Sequence, residues 1–248
     1  MYRDRGLTRH LAERAQAAGY KGLVLTTDNQ VLGQRERDLR NGFTIPPRPT
    51  VRNALNMATR LPWLWRMRRH RELSFSNYPG EKNDILSLGA HMADLLDPAA
   101  SWADVAMLRK FWRGPLILKG VLHPDEARRA IAEGVDAVIV SNHGGRQLDG
   151  AMAPLRALPE VADQAGGMTV MLDGGITRGS DVLKALALGA GFVLVGRPFL
   201  YAAAIGGGRM VDRAIGLLSE EIDRNMALLG ITEPGAMKAD LLRPVRGR

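Results

Sequence analysis

The 248-residue chain predicts an α/β fold built on a parallel sheet. Three observations predict it. Five short apolar runs are rich in Val, Leu and Ile and show little alternation. Strands covered on both faces read this way. Helical patterns lie between the later runs, which recur at roughly 20–30 residues, the rhythm of βαβ units. Polar side chains gather at the C-terminal ends of the runs, the edge where parallel sheets bind ligands. The length alone suits one α/β barrel of about 250 residues.

The first run is Gly22–Asp28 (GLVLTTD), closing on Thr26 and Asp28. The next 72 residues to carry a distinct character, Phe43–Gly114, contain no convincing strand. Such long connections are usually functional or disordered. This one opens on Ile45-Pro46-Pro47-Arg48-Pro49, which cannot be helical. Val51, Ala54, Leu55, Ala58 and Leu61 then follow helical spacing, and Pro62 is expected to break the pattern. Ser101–Arg109 reads as a helix leading into the second run, Pro115–Gly120. Pro124–Glu133 reads as a helix opened by Pro and Asp and stopped by Gly134. The remaining runs are Ala137–Asn142, Thr169–Gly175 and Gly191–Arg197. Ser180–Leu188 reads as a helix capped by Ser180 and stopped at Gly189.

Composition excludes several classes. With no cysteine there is no disulfide scaffold, Cys-ligated metal or thiol catalysis. No apolar run reaches the ~18 residues of a spanning helix, and MYRDRGLTRH holds no signal-peptide core. The expectation is a soluble chain, or one lying on a membrane without crossing it. The net charge of +8 is local: Thr44–Glu72 holds seven arginines and one acid, hence +6. A nucleic-acid binder should be basic more widely, and none is expected as a partner.

The strand ends carry the chemistry. Asp173-Gly174-Gly175-Ile176 closes one run and Gly196-Arg197 the next. Glycine-rich turns after consecutive late strands are a usual phosphate site, and Arg178 and Arg197 would add charge. Taken alone, Gly174-Gly175 could equally be a plain tight turn. Ser141-Asn142-His143-Gly144-Gly145-Arg146 places a histidine directly after a strand, where Asp28 could orient it as a general base. Lys119 adds a positive charge at a third strand end.

The string SNHGGRQLDG, with LILKG before it and DGGI and GRPFLY after it, resembles the FMN-dependent α-hydroxy acid dehydrogenase and oxidase family. The early TTDNQVLGQRERDLRNGF is similar too, in the manner of the L-lactate and mandelate dehydrogenase branch. The resemblance implies a TIM (β/α)8 barrel, seen here without its first three βα units, as one domain over 1–248 with 43–114 a long connection. It implies oxidation of an (S)-2-hydroxy acid to the 2-oxo acid with reduction of FMN. His143 would be the base and Asp28 its partner. Arg146, helped by Arg35, would bind the substrate carboxylate. Lys119 would sit at the flavin N1/O2 edge, and Thr26 and Ser141 would hydrogen-bond the ring or ribityl chain. Asp173, Gly174, Gly175, Ile176, Thr177, Arg178, Gly196 and Arg197 would hold the ribityl chain and phosphate. The family usually carries Arg-Arg after its DGG turn; here Thr177 stands in place of the first.

The arginine-rich segment, with Trp63 and Trp65, falls where that branch carries a membrane-binding insertion. Cations and indoles suit an anionic interface. The expected partners are a small 2-hydroxy acid, an electron acceptor such as quinone, an anionic membrane surface and further copies of the chain. The expected location is cytoplasmic, peripheral on the inner face of the cell membrane. The rival reading is a catalytically inactive fragment, or a membrane-associating module that keeps the partial fold.

Overall fold

The computed structural model describes residues 1–42, 50–69 and 95–243. Its sheet is formed by β1 (Leu23–Thr26), β2 (Leu116–Val121), β3 (Ala137–Ser141), β4 (Thr169–Asp173) and β5 (Phe192–Leu194). All neighbours pair in parallel, in the order β1-β2-β3-β4-β5. Sequential order without reversal is the winding of a (β/α) barrel; a doubly wound sheet would reverse at a switch point. The fold is that of a partial barrel.

The helices are α1 (Arg5–Ala17), α2 (Glu36–Arg40), α3 (Val51–Ala58), α4 (Leu61–Arg69), α5 (Trp102–Phe111), α6 (Pro124–Ala132), α7 (Pro154–Asp163), α8 (Gly179–Ala187) and α9 (Arg197–Leu229). The chain divides into two compact units. One comprises Met1–Arg14 and Asn29–Ala100, the other Ala15–Asp28 and Ser101–Arg248.

The second unit holds the sheet. α6 packs on β2 and α7, α7 on β3 and β4, and α8 on β5 and α9. Leu116, Leu118, Val138, Val140, Leu158, Val161 and Leu172 are fully buried between them. Each buried leucine contributes about 2–3 kcal/mol of transfer free energy. Trp112 is buried as well, and its indole donates to the Pro115 carbonyl at 3.0 Å, so no polar atom is stranded. Only β3 is buried at every position; β1 and β5 are half exposed. The expectation that all five runs are covered on both faces therefore holds for the centre of the sheet and fails at its margins, where Val24 and Phe192 face solvent.

Local signals explain most helix starts. Ser101 and Pro124 open α5 and α6 where the sequence places them. At α8 the cap is different: Ser180 lies inside the helix, and Arg178 is the capping residue. Asp181 does the work, its carboxylate accepting from the Thr177 and Arg178 N–H groups at 3.1 and 3.0 Å. α9 contains a break, since Gly206 and Gly207 have non-helical backbone angles.

In the first unit, α3 is capped by Thr50, whose hydroxyl accepts from Asn53 N at 3.1 Å. The break after it falls at Thr59-Arg60, and Pro62 sits in the first turn of α4. Proline tolerates that place because its missing N–H would have no intrahelical acceptor there. Pro62 thus helps start a second helix rather than only ending the first. The Ile45–Pro49 run, Arg48 and Arg71 lie outside the described residues. Among the described residues no helix is long and apolar enough to cross a membrane.

Candidate active site

Parallel strands in register bring their C-terminal ends to one edge. Thr26 lies opposite Lys119, and Ser141 opposite Asp173. Ser141 is fully buried, yet its hydroxyl is satisfied on all sides. It donates to Asp173 Oδ2 at 2.6 Å and accepts from Lys119 Nζ and from His143 N, each at 3.0 Å. Lys119 also pairs directly with Asp173 at 2.8 Å. Burial alone would raise the Asp173 carboxyl, but the hydrogen bonds from Lys119 and Ser141 and the charge of Lys119 outweigh it and hold the group below the usual aspartate range. Asp173 is therefore an anion that keeps the Lys119 ammonium at the strand end.

His143 follows directly. It is the one non-glycine residue with positive φ among the described residues, at 57°. Such backbone is uncommon outside glycine and is kept where surroundings over-determine it. Here the Ser141 hydroxyl holds its N–H, and Asp28 Oδ1 lies 3.0 Å from its Nδ1. A carboxylate accepts, so this contact is donated from Nδ1 and leaves Nε2 as the free nitrogen of the ring. Asp28 Oδ2 is buried with no hydrogen-bond partner among the described residues. The Asp28 carbonyl accepts from Gln147 Nε2 at 2.8 Å. Gly144 and Gly145 both adopt positive φ and carry the chain away from the ring. Arg146 follows, exposed, in the same turn.

The two glycine turns lie after β4 and β5. The N–H groups of Gly174, Gly175 and Ile176, and those of Gly196 and Arg197, have no acceptor among the described residues. Gly175 (φ 78°) and Gly196 have open space where a Cβ would be. Unclaimed N–H groups on two adjacent turns, with a guanidinium nearby in sequence, suit a phosphate. Arg197 donates to the Gly144 carbonyl at 3.1 Å, tying this turn to the histidine turn.

The other expected residues are placed differently. The Arg178 guanidinium pairs with Glu221 of α9 at 2.7 Å, and the Thr177 hydroxyl donates to Asp181 at 3.1 Å. Thr26 makes no side-chain hydrogen bond among the described residues; its neighbour Thr27 donates to the Lys119 carbonyl at 2.9 Å. Arg35 belongs to the other compact unit, and its Nε is buried without a hydrogen-bond partner among the described residues. Sequence reading missed Thr27, Gln147, Asp181 and Glu221. Glutamines and acids are common on exposed segments, and nothing in their spacing marks these as different.

The family model described as FMN-dependent dehydrogenase matches residues 1–244. The chain is 47% identical over 234 residues to an L-lactate oxidase of Nostoc sp., covering 94% of this chain and 60% of that protein. It is 40% identical over 245 residues to an L-lactate dehydrogenase of Acinetobacter baumannii, covering 97% and 64%. The crystal structure of the monotopic membrane protein (S)-mandelate dehydrogenase superposes with a TM-score of 0.91 at 38% identity, over 98% of this chain and 65% of that one. A soluble mutant of the membrane-associated (S)-mandelate dehydrogenase from Pseudomonas putida gives 0.76 at 37% identity, over 97% and 62%. The chain thus spans about three fifths of the length of the curated relatives it matches.

Proposed function

The chain belongs to the FMN-dependent dehydrogenase family, and from that premise we propose that it oxidises an (S)-2-hydroxy acid of the lactate or mandelate type to the 2-oxo acid. The observation that carries the reading is the convergence of the His143–Asp28 pair and the Lys119–Ser141–Asp173 cluster on one sheet edge. Bound FMN supplies the two-electron acceptor. Converting H–C–OH to C=O removes two hydrogens and two electrons; His143 Nε2 takes one hydrogen as a proton, and the other hydrogen and the electron pair would go to the flavin. Asp28 orients the ring and stabilises the imidazolium that results. Arg146 binds the substrate carboxylate. Lys119, paired with Asp173, would stabilise negative charge at the flavin N1/O2 edge, and Ser141 and Thr26 would hydrogen-bond the ring or ribityl chain. The N–H groups of the two glycine turns and Arg197 would hold the phosphate. Asp173, Thr177 and Arg178 shape the first of those turns.

The expected result is a purified chain that is yellow, or becomes so on adding FMN, and whose flavin absorbance bleaches anaerobically with lactate or mandelate. Colourless protein that takes up no FMN would sink this reading and favour the inactive module.

The helices α3 and α4 support a second part of the reading, that the protein rests on an anionic membrane. Val51, Leu55, Leu61, Trp63 and Trp65 are exposed on two consecutive helices, in a segment rich in arginine. Apolar and indole groups beside cations suit the interfacial region. The protein would then lie peripherally on the inner face of the cell membrane and pass electrons to a quinone. It should sediment with anionic liposomes at low salt and less at high salt; recovery in the supernatant at low salt would refute membrane binding.

A further inference from the structure

We propose that Gly120 is a positioning residue for the Asp28–His143 pair. The inference rests on reading His143 as the base, and it adds a residue that acts on the base through Asp28. Gly120 lies inside β2, where a glycine ordinarily weakens a strand. Here the strand is irregular. Lys119 pairs with Ile139 and Val121 with Val140, so β2 advances by two residues where β3 advances by one. Gly120 is the extra residue of a bulge, with φ at +110°.

The bulge makes room on the other side of β2. Beyond the end of β1, both the N–H and the hydroxyl of Thr27 donate to the Lys119 carbonyl, at 2.8 and 2.9 Å. This draws Thr27 and Asp28 across Gly120. A Cβ at position 120 would lie 2.8 Å from both Asp28 Cβ and Asp28 Cγ, and 3.0 Å from Thr27 Oγ1. Asp28 Cβ is fixed to the backbone, and Cγ can clear the new Cβ only by turning about χ1, which would take the carboxylate off the His143 ring. The main chain there is also held, because Gln147 donates to the Asp28 carbonyl. The carboxylate that orients His143 therefore occupies the space that any other residue at 120 would claim. Gly120 acts on the histidine only through Asp28.

The test needs neither flavin nor substrate, so its failure is separable from failure of the dehydrogenase reading. The full chain is labelled with 15N, and the His143 ring signals are assigned by their loss in His143→Gln. In the wild type they should report one fixed tautomer, with the proton on Nδ1. Gly120→Ala should move them toward a tautomer mixture by about as much as Asp28→Asn does. In the double variant they should stay where Asp28→Asn alone puts them. Wild-type ring signals in Gly120→Ala, or a further shift in the double variant, would overturn the proposal. Thermal unfolding covers the case in which Gly120→Ala folds poorly. In an Asp28→Gly background the two closest colliding atoms are gone, while the Thr27 Oγ1 contact and the positive φ at 120 remain, so the loss of melting temperature caused by Gly120→Ala should be smaller than in the wild type. An equal loss in both backgrounds would overturn it as well.

Discussion

His143→Gln should leave flavin binding intact and lower turnover of the 2-hydroxy acid by about 10²–10⁴-fold, the usual contribution of a positioned general base. The reason is specific to the geometry. Asp28 engages Nδ1 and leaves Nε2 as the basic atom. Glutamine can donate to Asp28 through its amide, so the buried carboxylate keeps a partner and the local fold is preserved. The amide has no basic nitrogen, so proton removal is lost. The measurement is anaerobic flavin reduction under single turnover, together with the absorption spectrum of the purified variant. A rate within tenfold of wild type would show that the base lies elsewhere.

Gly179→Ala should destabilise the fold by about 3 kcal/mol or more, the upper range for forcing atoms into a packed interior. A Cβ at 179 would lie 2.6 Å from Glu221 Cβ and 2.6 Å from Ile222 N, which are the side-chain root and main chain of α9. A helix cannot give way locally as a side-chain tip can. The same contact carries two bonds to Glu221, from Gly179 N at 2.8 Å and from the Arg178 guanidinium at 2.7 Å. Pushing α8 and α9 apart would strain both and move the glycine turn that precedes α8. For a chain of this size the melting temperature should fall by roughly 6–12 °C. Gly216→Ala on α9 is the control. Nothing lies within 4 Å of its Cβ, so it should be neutral or slightly stabilising by about 0.5–1 kcal/mol. A Gly179→Ala protein melting with the wild type would mean that α9 packs less closely than described.

The α/β class, the five strands and the edge where the polar strand-end residues gather were legible in the sequence. Their signals are local: β-rich apolar runs, helix starts at Ser101 and Pro124, and polar residues just past each strand. Other features were hidden because their cause is not local. Ser180 has the chemistry of a cap, but Asp181 captures the preceding N–H groups and puts the cap of α8 at Arg178, before Ser180. Pro62 reads as a breaker, yet after Thr59-Arg60 it stands where a helix can accept it. The apolar spacing of Val51, Ala54, Leu55 and Ala58 does mark α3, while Leu61, read as its continuation, begins α4; the same pattern fits a buried face as well as the exposed one observed at Val51 and Leu55.

What the sequence determined by itself is which residue types follow which strands, because period and composition are properties of neighbouring residues. That placed His143, Asp28, Lys119, Ser141 and Asp173 at strand ends and linked the chain to its family. Only the tertiary structure decided how they meet. Strand order and register set Ser141 against Asp173, and one extra residue in β2 gave Asp28 its place beside Gly120. Packing of α9 on α8 brought Glu221 to Arg178, 43 residues away in the chain. Contacts across such separations depend on how whole elements stack, and no short-range pattern encodes them.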